Sequence, residues 1–372
     1  MQRHSRIIAN WVGVLVFVAG CATIPENRPK TLSQAQSPAW SLKARQDEMV
    51  IAVSPAGKVL RLAGSSGLVI GAVIDANVNA KYARTVGELL TDYDTAAVFE
   101  ERVATRLGDV LEKEPRRIAP MGSMAGFRNQ REAEQARLDS LSKQGIDVLL
   151  DLAVTYGLYG PEGTLAAKLT GQMILLPEKK TLWRNKIVVA SGPVLANAKL
   201  GDPTDLIKPD VSSGLTVDEE AMKAWSSDDG TILRSRFEEV VDAAVSALLC
   251  DLGLHDEPLG RYSLGRLAMN RRKFQDAERH FAEALAAHPD WPDALNACAA
   301  NLGWSGNVPA AIEAAKRITE RFPDYGPAWF NLAWWYAIET KNPQEAARCY
   351  EKARALGIAS DKRIEKIILK QE

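Results

Sequence analysis

Residues 288–291 read His288-Pro289-Asp290-Trp291, and residues 322–325 read Phe322-Pro323-Asp324-Tyr325, 34 positions later. The 34-residue interval, with a proline recurring at the same position, marks a repeated unit. A unit that small cannot bury its own apolar face, so copies stack into a shared core. Working backwards, the first unit starts at Pro258 and carries Leu264, Gly265, Ala277, Phe281 and Ala284. The second, 292–325, keeps Leu295, Ala299, Leu302 and Ala311. The third, 326–360, keeps Trp329, Leu332, Ala333 and Tyr336, then gains one residue near Lys341-Asn342-Pro343 before Ala346, Tyr350 and Ala353. Ile358 to Leu369 reads as a terminal capping helix, so 361–372 closes the array.

This pattern of Leu, Gly, Ala, aromatic and Ala resembles the tetratricopeptide repeat. The resemblance implies a curved stack whose first helices line a peptide-binding groove. The groove positions it selects are Tyr262, Arg266 and Asn270 from the first repeat and Asn296 and Trp304 from the second. Phe330 and Trp334 come from the third. Such a face, aromatic with amide and guanidinium groups, suits an extended or helical protein segment. It does not reproduce the Lys/Asn/Arg clamp that some repeats use for C-terminal carboxylates. Packing of Trp334 or Trp335 on the next helix is the competing reading.

The whole chain is 372 residues, long enough for two cored units, with 46% hydrophobic and 25% charged residues. Its 46 Lys+Arg balance 47 Asp+Glu, and residues 256–372 hold 17 Lys+Arg against 16 Asp+Glu. That balance argues against nucleic acid as a partner. Four Cys and four His argue against a disulfide scaffold or a Cys/His metal protein.

At the N-terminus, Arg3 and Arg6 precede an apolar stretch from Ile7 to Ala19 that is short for a membrane span. It ends in Val18-Ala19-Gly20-Cys21, which resembles the lipobox of bacterial lipoproteins. The resemblance implies cleavage of residues 1–20, acylation of Cys21 and insertion of the acyl chains into a lipid bilayer. Ala22 at the second mature position implies the outer membrane, with the folded part facing the periplasm. An uncleaved anchor helix is the alternative. Residues 21–46, with Pro25, Pro29 and Pro38, read as a tether; about 20 residues at roughly 3 Å each would reach about 60 Å.

Residues 47–255 read as an α/β sandwich. Met49 to Val53 is a short buried strand, and 64–80 contains the apolar run Leu68–Ile74, either a core segment or one that inserts at a membrane. Phe99, Val103, Leu107 and Leu111 recur every four residues behind Asp94, an expected N-cap. A second helix spans 130–144. Ile146–Val154 is a strand, Leu165–Leu175 and Thr181–Ala190 form a hairpin around Pro177, and Ile232–Leu249 closes the unit as a helix. The stretch 191–230 is a long acidic loop with one helical candidate at 217–225. The pattern, with Trp183 on the hairpin, resembles the periplasmic α/β domain of curli-secretion-type and penicillin-binding-protein-activator lipoproteins and of the Tol-system propeller protein. No catalytic residue carries across.

No phosphate loop, nucleophile elbow, H-E-x-x-H or C-x-x-C is present. Ser140-Leu-Ser-Lys143 lacks the partner motifs of the serine enzymes it resembles. His255, His280 and His288 read as surface residues. Cys250, Cys298 and Cys349 read as small buried residues, with a Cys298–Cys349 bridge as the alternative in an oxidising compartment. No enzyme, metal or small-molecule cofactor is expected. The expected role is a scaffold or accessory factor of an envelope assembly, gripping a protein through the repeats. A subunit of an export channel and a cell-wall synthase regulator are the alternatives.

Overall fold

In the computed structural model, residues 32–44, 49–51, 81–121, 129–159, 163–176, 178–191, 217, 219–358 and 360–369 are described. Cys21, the segment 64–80 and most of the acidic loop (192–216) lie outside them. The sheet has the order β3-β1-β4-β5-β6, from strands β1 (Pro38–Ala44), β3 (Arg116–Arg117), β4 (Val148–Tyr159), β5 (Thr164–Leu175) and β6 (Lys180–Ala190). The two-residue β2 (Val50–Ile51) lies beside the far end of β4. β1 runs parallel to both β3 and β4, whereas β4, β5 and β6 form antiparallel pairs.

β1 corrects the reading of 21–46 as tether. All seven of its residues pair with Val148–Val154, and Trp40 and Leu42 are buried. Pro38 at its first position and Ser41 in its middle gave the stretch a linker-like composition. A proline is tolerated at the first residue of a strand. Ser41 is fully buried because its hydroxyl donates to the Asp151 carboxylate, which also takes a two-pronged ion pair from Arg137.

The period of two along the strands sorts the sheet into two faces. Trp40, Leu150, Leu152, Val154, Leu165, Leu169, Trp183 and Ile187 belong to the large core. Helix α2 (Thr95–Leu111) brings Phe99, Val103, Leu107 and Leu111 to it, and the Asp94 carboxylate accepts from Ala97 N as its N-cap. It follows α1, a helix over 81–89. On the opposite face, α3 (Gln130–Lys143) lays Leu138 and Leu141 over Ala39, Leu149 and Ile174. The short α4 (Glu219–Trp225) anchors by Trp225, whose buried indole N–H donates to Gly163 O at 2.8 Å.

Helix α5 (Thr231–Leu252) is longer than the expected 232–249 and is buried on more than one side. Every residue from Ala243 to Cys250 is buried. A helix apolar around its whole circumference needs partners all round. One side packs on the sheet and α2; the other meets α6 (Pro258–Asn270), the first helix of the repeats. Leu264 and Leu267 of α6 belong to the same core as the sheet. The expected division at 255/256 is therefore a buried seam, crossed by Arg271 Nη2 donating to Lys186 O at 2.6 Å. A Cβ on Gly260 would lie 2.5 Å from both Cys250 Sγ and Ser246 O, so only glycine allows this approach.

The repeats follow as α6/α7 (Phe274–Ala287), α8 (Pro292–Trp304)/α9 (Val308–Arg321) and α10 (Gly326–Trp334)/α11 (Pro343–Ala355). The cap is α12 (Lys362–Ile368), started by the buried Asp361, which accepts from Arg363 N at 2.8 Å and from Ile364 N. The second helix begins 16 residues after the first in repeats one and two, and 17 after it in repeat three. A π-helical turn at Trp335–Glu339 takes up the extra residue, with Thr340 N donating to Trp335 O at 3.0 Å.

The described cysteines Cys250, Cys298 and Cys349 are free, so the bridge alternative does not form. Burial pushes the Cys250 thiol up to about 12 and those of Cys298 and Cys349 up to about 11, away from reactive thiolate. His280, read as a surface residue, is largely enclosed, and burial lowers its pKa. Two glycines test the seam. Gly260→Val should cost about 1–3 kcal/mol by overpacking, read as a lower urea midpoint. Gly108→Ala in α2, with no contact nearer than 4.0 Å, should raise stability by about 0.5–1 kcal/mol. Equal effects would overturn the close-contact account.

Candidate peptide groove

Repeat position predicts one residue per turn of each first helix on a common face. On α6, Tyr262, Arg266 and Asn270 fall at intervals of four. Each first helix starts with proline at its first or second position, which pre-sets the backbone and gives up no hydrogen bond. Gly265, one residue before Arg266, faces the other way. A Cβ there would stand 2.5 Å from the Phe281 ring, which is why α6 and α7 can lie so close.

Tyr262 sits in an aromatic cluster, 4.7 Å from the Trp291 ring centroid and 6.1 Å from that of Phe281. The Arg266 guanidinium lies 5.8 Å from the Tyr262 ring centre. Beside them, the Asp293 carboxylate accepts from Tyr325 OH at 2.7 Å and Trp291 Nε1 at 3.2 Å. Burial, then the neighbouring Asp293 charge, raises the pKa of Tyr325 far above the usual phenol range. Burial also raises that of Tyr262, against a smaller opposing effect of Arg266. Asn296 Oδ1 accepts from Asn331 Nδ2 at 2.9 Å, linking the second and third repeats. Asn270 keeps its amide oxygen buried without a hydrogen-bond partner.

The remaining candidates divide. Trp304 is 47% exposed, one of the few large apolar side chains so presented. Phe330 is 7% exposed and belongs to the core of the second and third repeats, so it is structural and not a groove lining. Trp334 is half-buried under the cap helix, with the Arg363 guanidinium 4.1 Å above its ring. Placement by repeat position ignores that cap, and packing on the next helix is what happens here. Of the seven candidates, only Trp304 is exposed, and Tyr262, Arg266, Asn270 and Asn296 of the first two repeats are partly exposed.

Sequence reading missed Asp293, Trp291 and Tyr325 as one cluster. The available signal was the repeat itself. Trp291 and Tyr325 are equivalent positions, so two stacked repeats bring the aromatic end of one turn beside that of the next.

These phenols make the groove alkali-sensitive. Above pH 10 the unfolded tyrosines lose protons that folded Tyr262 and Tyr325 retain. The folded state then holds more protons, and stability falls as pH rises. Tyr325→Phe should cost about 1 kcal/mol at pH 7 and flatten that alkaline loss, measured by urea unfolding between pH 8 and 11. An unchanged slope would remove Tyr325 from the account.

The tetratricopeptide repeat family matches the chain at residues 262–299 and 305–361. No curated protein matches this sequence. The match covers most of the three helix pairs, leaving out 300–304 at the end of α8, and runs up to Asp361 at the start of the cap. Residues 262–299 and 305–361 match the tetratricopeptide repeat, a non-catalytic interaction module, which suggests a protein-protein interaction role for this part of the chain.

Proposed function

We propose that this protein is a lipoprotein anchored through acylated Cys21 in the outer membrane, facing the periplasm, where it serves as a scaffold or accessory factor of an envelope assembly. The observation that carries the binding role is the 47% exposed Trp304 at the end of α8. Repeat position sets it on the face that carries Tyr262, Arg266 and Asn296, and aromatic area with fixed polar groups suits a protein segment. Support for the anchor is the sequence Val18-Ala19-Gly20-Cys21 behind a basic and apolar leader. Several acyl chains hold a protein on a bilayer far more firmly than one. Among the described residues no helix is long and apolar enough to cross a membrane. The repeats are a non-catalytic module, and binding is the activity assigned to them.

The binding role is tested by crosslinking in intact cells followed by purification of the full chain. The wild type should recover a defined protein partner. Trp304→Ala should weaken that complex by about 2 kcal/mol, roughly thirtyfold in Kd. Failure to recover any protein, or equal recovery by the Trp304→Ala/Arg266→Ala double variant, would overturn the groove. The anchor is tested separately by Cys21→Ser, which should abolish radiolabelled palmitate incorporation and release the chain from the membrane fraction. A wild-type chain that takes up no palmitate would sink the anchor and leave the groove untouched.

A further inference from the structure

The opposite end of the molecule carries a feature that the repeats do not explain. β3 is the outermost strand of the sheet, with no strand on its outer side among the described residues. Ile118 N–H donates to Trp40 O at 2.9 Å, so residues 116 and 118 turn their main chain towards β1. The intervening Arg117 then presents its own N–H and C=O to the open side, as strand alternation requires.

A cleft of about 620 Å³ opens beside this edge, between the chain continuing to Met121 and the face of α3. Its lining includes the apolar Ile118, Met121 and Leu141 and the arginines Arg116, Arg117 and Arg137. The cleft lining holds these three arginines and no carboxylate, while Glu112 and Glu114 stand in the chain just ahead of β3. Arg137 is paired with Asp151 and Arg117 with Glu100. Three further cations bond to neutral oxygens instead: Arg116 to Gln144 Oε1, Lys113 to Ser33 O and Ala35 O, and Lys43 to Met121 O. With a net charge of −1 for the whole chain, a cleft lined by three arginines and no carboxylate is a local feature.

We infer that the β3 edge is a second docking surface, which takes an acidic, extended segment of a partner polypeptide as an added strand. The segment's main chain bonds to the free N–H and C=O of Arg117. Its carboxylates meet Arg116 and its neighbours, and one apolar side chain enters the cleft over Ile118, Met121 and Leu141. A second copy of this chain is disfavoured as the occupant. Pairing two β3 edges would set Arg116 and Arg117 against their own copies, and like charges directly opposite are destabilising. The same arginines that bar self-association select an acidic partner.

The test uses the full chain and a fluorescent eight-residue peptide of alternating Glu and Val, read by anisotropy. Binding should be saturable, and at least tenfold weaker for the peptide with Lys in place of Glu. It should also be at least tenfold weaker for the Glu/Val peptide with alternate amides N-methylated, which keeps the charge but removes main-chain donors. This last comparison leaves the protein unaltered, so no folding defect can imitate it. Arg116→Glu/Arg117→Glu should abolish binding, and Arg266→Ala in the repeat groove should leave it unchanged. Absence of binding by the Glu/Val peptide, equal binding by its N-methylated form, or loss of binding on Arg266→Ala would each overturn the proposal. None of these outcomes bears on capture of a partner by Trp304.

Discussion

The burial of α5 on both of its sides is the constraint on which the rest of the structure depends. From Ala243 to Cys250 this helix has no face left for water. Its apolar surface is satisfied only when the sheet and the first repeat are both in place. Asp251 near its C-terminus accepts from Trp183 Nε1 and Asn185 Nδ2 of β6, each at 2.7 Å, while Ser246 Oγ donates to Glu257 at 2.5 Å, at the start of α6. Glu257 is also paired with Arg106 of α2. One short stretch of chain thus holds the sheet, its covering helix and the repeat stack in a fixed relation. A repeat array cannot leave its first helix with an uncovered apolar side. Here α5 covers it.

The same logic of close approach runs through the repeats. Gly265 under Phe281 and Gly303 under the Trp335 ring mark places where a side chain would push neighbouring helices apart. The third repeat departs by one residue, and the π-turn at Trp335–Glu339 absorbs it without breaking the helix. The cap then seals the far end, with Asp361 held by Arg363 and Arg363 in turn stacked over Trp334. Both ends of the array are closed by dedicated helices.

This arrangement separates two surfaces of different character. The repeat groove is aromatic and nearly balanced in charge, with Asp293 beside Arg266. The β3 edge is basic and offers main-chain groups. Because α5 packs on both the sheet and the first repeat, a protein bound at one proposed surface would be held at a set distance and angle from a protein bound at the other. That geometry is useful to a scaffold and would be lost if the two units swung freely.

Periodicity in the chain was enough to determine the repeats, their 34-residue spacing, the inserted residue in the third and the cap. The helix of Phe99–Leu111 and its Asp94 cap, the long β4 strand and the hairpin were equally legible, because each carries its own local pattern of apolar positions. β1 was not, since its pairing with β4 joins residues about 110 apart and nothing local marks Pro38–Ala44 as more than a linker. Repeat position placed Tyr262, Arg266 and Trp304 on one face, but only packing could decide that Phe330 turns into the core and that Trp334 lies beneath Arg363. Likewise the continuous apolar run of α5 announced burial without naming what buries it. Local order follows from spacing along the chain, whereas exposure and partnership depend on which distant segments the fold brings into contact.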